Sequence, residues 1–254
     1  MRPDLNNQED EVMPGIYRNS VRVALLTLAL FALPLQAQTW DLASELELGA
    51  VYTSGNTDNE SLRFRAAFDA IREQWSYRLT LDGFRSSKDD ELAAQRLYTV
   101  GSATYNFDPD NFVMTRVAHE TDKFSGYDSQ SDVSVSYGQV VFRDLEDMTL
   151  SYTVGAGMRV SRGSDSDEGD FEEAIIRLSA DYSWDLSDNA RFLQTLSADV
   201  GERTTIARSE TALESDILSN LSMKFAINVK HQTEVPVTRE KTDTEASVTL
   251  LLRF

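Results

Sequence analysis

The feature that most constrains this chain is an alternation of apolar and polar residues that recurs from residue 40 to the last residue. Successive side chains of a β-strand point to opposite faces, so a period of two marks strands with one apolar and one polar face. The final stretch is the clearest case, with one face made of Ala246, Val248, Leu250, Leu252 and Phe254. No helical periodicity of comparable strength and no run of 18 apolar residues follows residue 37. The alternation predicts an all-β domain.

Twelve alternating stretches can be counted, at residues 40–54, 60–71, 75–86, 96–107, 112–122, 131–142, 149–161, 172–185, 190–203, 208–218, 223–235 and 243–254. Most are about twice as long as the 5–6 residues usual in soluble sheets. A tilted strand needs roughly 9–11 residues to cross the hydrocarbon layer. In lipid only a closed barrel pairs every backbone group of a β-structure. The stretches therefore predict a closed antiparallel up-and-down transmembrane β-barrel of about 12 strands.

Two of these stretches have an ambiguous face. In the fourth, Leu97 and Tyr98 both qualify for the outer face, and the tenth is polar throughout.

The connectors between the stretches alternate in character, as those of an outer-membrane barrel do. Tight ones are predicted at Ile71–Gln74, Asp108–Asn111, Arg143–Met148, Ser187–Asn189 and Ser219–Asn220. Polar and mostly longer ones are predicted at Gly55–Asn59, Ser87–Gln95, Asp122–Gln130, Arg162–Phe171, Thr204–Ala207 and Pro236–Thr242. An even strand number places both termini at the end with the tight turns, which in such barrels is periplasmic. Aromatic residues cluster at the same end, as an interfacial belt would: Trp40, Trp75, Tyr77, Tyr105, Phe107, Phe112, Phe142, Trp184, Phe192 and Phe254.

The N-terminus is typical of a secretory signal peptide. Arg18 and Arg22 form a positive start, residues 23–35 an apolar run, and Ala37 ends a small-residue cleavage site. Because residues 1–12 carry acids where a signal needs basic charge, we take Met13 as the true start. We expect residues 1–37 to be removed and residues 38–254 to form the barrel. The alternative is a retained anchor helix, although the run is too short to span a bilayer as a permanent helix.

Charge and composition exclude several classes of function. The excised part carries three basic and four acidic residues, so the mature net charge is −17. Nucleic-acid binding needs clustered Lys and Arg, so this balance argues against it. The chain has no cysteine, which excludes thiol catalysis, cysteine metal sites and disulfides. A secreted β-sandwich remains the alternative fold, but its core face would be richer in Val, Ile and Leu than the apolar face here, which often carries Ala, Gly or Tyr.

Two motifs resemble a known family. The stretch from Leu48 to Asp58, Leu-Gly-Ala-Val-Tyr-Thr-Ser-Gly-Asn-Thr-Asp, is similar to the N-terminal signature of the YdiY-like family, described as salt-induced outer-membrane proteins with a domain of unknown function. Near the C-terminus, Pro236 and the polar run 241–244 precede a strand that closes on Phe254. A terminal Phe on an amphipathic strand is similar to the signal that such barrels offer their assembly machinery. The resemblance implies a barrel and the outer membrane, and it implies no reaction.

The polar face should line the lumen of the barrel. The inward charged residues are Glu45, Glu47, Arg63, Arg65, Asp69, Arg78, Asp82, Arg96, Arg116, Glu120, Asp132, Arg159, Arg177, Asp181, Arg191, Asp199, Glu214, Asp216, Lys224, Lys230, Glu245 and Arg253. One interpretation is a selective narrow pore for ions or small polar solutes. The other is a network of ion pairs that packs a narrow barrel and leaves no open path. The mixed signs favour the network.

Other chemistry has weaker signals. A membrane-embedded lipid hydrolase would need a serine–histidine pair oriented by a third group, and no motif joins a serine to His119 or His231. We therefore expect no enzyme activity and no cofactor. The acidic loop Asp165, Asp167, Glu168 and Asp170 fails the EF-hand pattern but could bridge through cations to lipopolysaccharide. The expected partners are thus outer-membrane lipid, lipopolysaccharide and the barrel-assembly machinery. The residues predict a structural or envelope-stress role without identifying it.

Overall fold

The computed structural model describes residues 40–54, 60–88, 91–122, 127–142, 145–163, 170–235 and 239–254. Its strands, β1 to β12, are Asp41–Ser54, Glu60–Arg72, Trp75–Lys88, Glu91–Asn106, Asn111–Asp122, Tyr127–Val141, Met148–Gly163, Phe171–Ser187, Ala190–Gly201, Thr205–Leu218, Leu221–Gln232 and Thr242–Arg253. Each pairs antiparallel with its neighbours in the chain, and β1 pairs with β12 to close the sheet. The prediction of a closed antiparallel barrel of twelve strands is confirmed.

The seam between the first and last strands is fully registered. Glu45 pairs with Arg253, and the register continues without a shift to Ser54 and Thr244. Beyond it, the backbone amide of Phe254 donates to the carbonyl of Ser44 at 2.9 Å, and the reverse bond is 3.2 Å. Closure leaves no open sheet edge, which is the main liability of a β-sheet.

The two ends of the barrel differ in their connections. The start of β1, the end of β12 and the tight turns, such as Glu73–Gln74, lie at one end of the barrel, which we call the turn end; the opposite one is the loop end. The prediction of a long connector at Ser87–Gln95 is wrong, because β3 runs to Lys88 and β4 begins at Glu91. The connector predicted at Asp122–Gln130 is also shorter, since β6 begins at Tyr127. In both places the strands extend into segments without the apolar–polar alternation, because backbone pairing continues there whatever the side chains are.

The period of two places apolar side chains outside and polar ones inside. On β12, Leu250 is 52% exposed on the outer surface, while its neighbour Thr249 is 3% exposed inside. The outer surfaces of β2 and β8 are likewise covered by Leu62, Phe64, Phe68, Ile176 and Leu178, all exposed. The interior is not wholly polar, since Ile175, Ile206 and Leu251 are buried there.

Aromatic side chains gather at the turn end. Trp75 lies 5.0 Å from Tyr105 and 6.0 Å from Tyr77, between ring centroids. Trp40 extends the row, 5.8 Å from Tyr77. Such rings have an apolar body and a polar edge, which suits a membrane–water interface.

The predicted signal peptide at residues 1–37 and the hairpin at residues 55–59 lie outside the described residues. Among the residues that the structure describes, no helix is long and apolar enough to cross a bilayer.

Candidate functional site: the barrel interior

Most charged side chains predicted to line the lumen form several ion-paired groups in its loop-end half, which together we call the plug. The plug contains Glu47, Arg63, Arg65, Asp82, Arg96, Arg116, Glu120, Asp132, Arg177, Asp199, Arg208, Glu210, Lys224, Lys230 and Glu245. The alternation of each strand aims these side chains at the barrel axis, where they form hydrogen bonds with one another.

In the first group of the plug, Asp82 on β3 binds two arginines of β2. Its carboxylate accepts hydrogen bonds from Arg63 at 2.5 Å and from Arg65 at 3.1 Å. Arg65 then reaches Glu210 on β10 at 2.9 Å, four positions around the ring. Glu210 also accepts from Lys224 at 2.9 Å. Each charge thus has at least one opposite partner, which a buried charge requires.

A second set of bonds links β4 to β12. The guanidinium of Arg96 donates to both carboxylate oxygens of Glu245, one of them at 3.0 Å. Arg63 lies 3.7 Å from the same carboxylate. A bidentate Arg–carboxylate pair fixes the planes of both groups.

Glu120 on β5 bonds to strands on the far side of the barrel. One carboxylate oxygen accepts from Lys230 on β11 at 2.7 Å, and the other accepts from Arg208 on β10 at 2.8 Å. Strands β5 and β11 are six positions apart in a ring of twelve, so they are opposite walls. The side chain of Glu120 is 5% exposed. These two bonds therefore join opposite walls through the middle of the lumen.

Tyr98 supports this crossing from β4. Its hydroxyl accepts a hydrogen bond from Arg116, which also pairs with Asp132. The guanidinium of Arg208 lies over its ring, 5.3 Å from the centroid. The ambiguity of the fourth stretch is resolved, because Leu97 is exposed outside and Tyr98 points inward.

Near the loop end, pairs form along the wall instead of across it. Arg159 on β7 donates to Glu173 on β8 at 2.7 Å, with both side chains 2% exposed. Arg177 donates to Asp199 on β9 at 2.5 Å. A Cβ at Gly201 would overlap the carboxylate of Glu173 and the guanidinium of Arg159, so the glycine makes room for this pair.

The turn-end half of the lumen is more open, and we call it the vestibule. Arg78 faces inward on β3 yet is 52% exposed, at 3.4 Å from Asp69 and 3.6 Å from Glu45. Arg253 bonds Glu214 at 2.6 Å and Glu45 at 3.2 Å. Asp181 is exposed and accepts a hydrogen bond from Thr195 at 2.9 Å. The structure therefore does not join Asp69, Arg78, Asp181 and Arg253 to the plug.

The two histidines lie on the outer surface, on strands β5 and β11. His119 Nδ1 is 2.8 Å from the hydroxyl of Ser131, and His231 Nδ1 is 2.8 Å from that of Thr242. Each contact is a single serine or threonine hydroxyl. Within the described residues neither ring is hydrogen-bonded to a carboxylate or amide that would orient it as in a hydrolytic triad.

The acidic loop gives no metal site that can be described. Asp165, Asp167 and Glu168 lie outside the described residues, and Asp170 is exposed. Among the residues that the structure covers, no three His, Asp or Glu side chains are grouped to hold a metal ion.

Sequence reasoning missed Arg208, Glu210 and Glu173. Strand β10 is polar on both faces, since Ser209 and Thr211 point outward, so its pattern did not identify an inner face. Their side could have been inferred, because Arg208 and Glu210 are an even number of residues from Glu214, which was predicted to face inward, and residues at even spacing share a face of a strand.

The comparisons with known proteins agree with this architecture. The family described as "Protein of unknown function, DUF481" matches residues 46–254. The "Uncharacterized protein YdiY" of Escherichia coli (strain K12) is 26% identical over 206 residues, which is 81% of this chain and 80% of that protein. Among solved structures, the NanC porin aligns with a TM-score of 0.57 at 9% identity, covering 82% of this chain and 98% of that one. At this identity the likeness is one of fold.

Proposed function

The chain belongs to the DUF481 family of proteins of unknown function, and we propose that it is a bacterial outer-membrane β-barrel whose lumen is held closed by the plug. In this proposal residues 1–37 direct export, and the barrel serves a structural role in the envelope, under osmotic or salt stress. The observation that carries it is the pair of bonds by which Glu120 joins opposite walls.

The outer surface of the barrel supports a membrane location. An outer wall of exposed leucine and phenylalanine is unfavourable in water and favourable in lipid. The aromatic row at the turn end is the kind of belt that stabilises a barrel at one membrane–water interface. Lipid and lipopolysaccharide are the partners proposed for this surface. The exposed Phe254 is the group proposed for recognition by the assembly machinery.

Fractionation tests the location. The full chain expressed in bacteria should be recovered in the outer-membrane pellet after a carbonate wash and should start near Gln38. Its migration in gels should change on heating, as that of folded barrels does. Recovery as a soluble periplasmic protein would overturn the proposal.

A narrow pore is the second candidate, and the open vestibule is the observation that favours it. Solute could enter to the level of Arg78 and Asp181, both exposed inside the barrel. A porin of similar fold is known in NanC. Planar-bilayer recordings of the purified protein separate the two candidates. A closed structural barrel should show no stepwise current, and regular steps in the unmodified protein would favour the pore.

A further inference from the structure

The outer wall of β9 and β10 combines a groove with polar side chains, and we propose that a second copy of this chain covers it, so that two barrels associate about a two-fold axis. The inference rests on the membrane location proposed above, because it takes lipid as the surroundings of the outer wall. It does not depend on whether the lumen conducts.

The groove is a depression of about 370 Å³ in the outer wall of β8 to β11. Its floor contains Ala198 on β9 and Ala207 on β10, which are direct neighbours in the register. In the same row of the sheet, the larger side chains of Leu178 and His231 stand on either side of this pair. The two alanines therefore leave room for side chains of another protein surface to enter.

Polar side chains lie beside the groove, on the outward face near the middle of β10. The amide of Gln194 donates to the hydroxyl of Ser209 at 3.1 Å, and its oxygen accepts a hydrogen bond from Thr211 at 2.7 Å. Among the described residues, the hydroxyl hydrogen of Ser209 has no acceptor. Hydrocarbon offers none either, so a polar group in this place is costly in lipid. The wall therefore presents a donor that lipid tails cannot satisfy.

This wall is complementary to itself. Two copies inserted in the same direction are related by a two-fold axis parallel to the barrel axes, and the same surface of each copy then forms the interface. With the axis beside Ser209, this hydroxyl meets its equivalent, and because a hydroxyl both donates and accepts, one can donate to the other. The same axis places β9 of one copy opposite β11 of the other, since these strands flank β10. The groove then faces the exposed side chains of Phe225 and Ile227.

A second barrel suits this wall better than lipid does. An acyl chain could fill the groove, but it has no acceptor for the hydroxyl of Ser209. Within a membrane the hydrophobic effect does not drive proteins together, so association depends on close packing and hydrogen bonds. Small side chains at Ala198 and Ala207 allow the close approach, and Ser209 supplies the hydrogen bond.

Disulfide cross-linking tests the interface in cells. The chain has no cysteine, so a single introduced cysteine can link only to its equivalent in a second copy or to another protein. Ser209→Cys in the full chain should give a covalent dimer on oxidation of intact cells, because a disulfide needs Cα atoms within about 4.4–6.8 Å. Ala156→Cys is the matched control, since Ala156 is exposed on the outer face of β7, three strand positions from β10. It should remain monomeric.

Sedimentation of the folded barrel in detergent micelles measures the association without cross-linking. Ala207→Leu fills the groove with a side chain that lipid tolerates and should convert the dimer to a monomer, whereas Ala156→Leu should leave it dimeric. Ser209→Ala should weaken association about fivefold to tenfold, the range of one hydrogen bond in a membrane. A membrane-bound monomer, with or without a lipid in the groove, or equal cross-linking of the two cysteine variants, would overturn the dimer alone. Recovery of the chain in the soluble fraction would overturn the membrane location as well.

Discussion

Replacing Glu120 by glutamine should open a path through the lumen. The substitution keeps the volume of the side chain. It removes the charge by which Glu120 on β5 holds Lys230 and Arg208, which are neighbours on β11 and β10 across the lumen. Arg208 retains Asp199 at 3.3 Å, whereas the ion-pair partner of Lys230 among the described residues is Glu120. The two cations then repel each other without an anion between them, and we expect them to move apart.

The energetic cost follows from the burial of the pair. Glu120 is 5% exposed and Lys230 is 11% exposed, so neither charge is well solvated. Removing one partner of a buried ion pair costs about 3–5 kcal/mol, because the other charge remains uncompensated. The glutamine amide oxygen can still accept one hydrogen bond, which places the expected loss near the lower end of that range. The barrel should thus fold less stably but remain closed as a sheet.

Planar-bilayer recording measures the effect on the lumen, and urea titration of the gel shift measures the effect on stability. Glu120→Gln should give stepwise currents larger than those of the unmodified barrel. Glu173→Gln is the matched control, because it removes an equally buried glutamate whose partner Arg159 is on the adjacent strand. It should lower stability by a similar amount and leave the current unchanged. Equal currents from Glu120→Gln and the unmodified protein, or from the two variants, would refute the reasoning.

Three further outcomes are expected. Protease added to intact cells should cut within residues 162–171 and spare residues 108–111, and the reverse pattern would show the opposite orientation. Leu250→Arg should lower the amount of folded barrel far more than Thr249→Arg, because arginine at a lipid-facing midplane site costs about 2–4 kcal/mol while lumen sites are more tolerant; equal losses, measured by gel shift, would contradict the register. Phe254→Ser should reduce recovery in the outer membrane while leaving refolding in detergent intact, and unchanged recovery would exclude Phe254 as an assembly signal.

The architecture could be predicted from the sequence because the period of two is a local property. The inner and outer face of each strand can be identified from its own residues, as those of β12 can from Leu250 and Thr249. Twelve strands identified in this way, together with connectors that alternate between short and long, are enough to predict a closed barrel. The signal failed where polar residues occupy both faces, as on β10, and where a strand continues beyond its alternating part, as at Ser87–Gln95.

The partners inside the lumen could not be predicted in the same way. Periodicity states that Glu120 and Lys230 face inward, but these residues are 110 positions apart in the chain. Whether they meet depends on their heights in the barrel, which depend on how the register shifts from strand to strand. The same limit applies to Asp181 and Arg177, which face inward from the same strand, although Asp181 is exposed and Arg177 is buried against Asp199. Parity predicts the face, and only the closed register predicts the neighbours.

The charges of the plug require a reason beyond packing. A buried ion pair is often no more stabilising than apolar side chains of the same volume, because desolvation offsets the attraction. A barrel with an apolar interior would, however, lose the contrast between its two faces, and a slip of one residue would then cost little. Charged inner residues make that slip expensive, since it would place Arg63 or Glu120 in lipid. Crossing bonds such as those of Glu120 add a second consequence, because charges that must meet partners at the axis also obstruct the path along it. Register and closure of the lumen are therefore served by the same side chains.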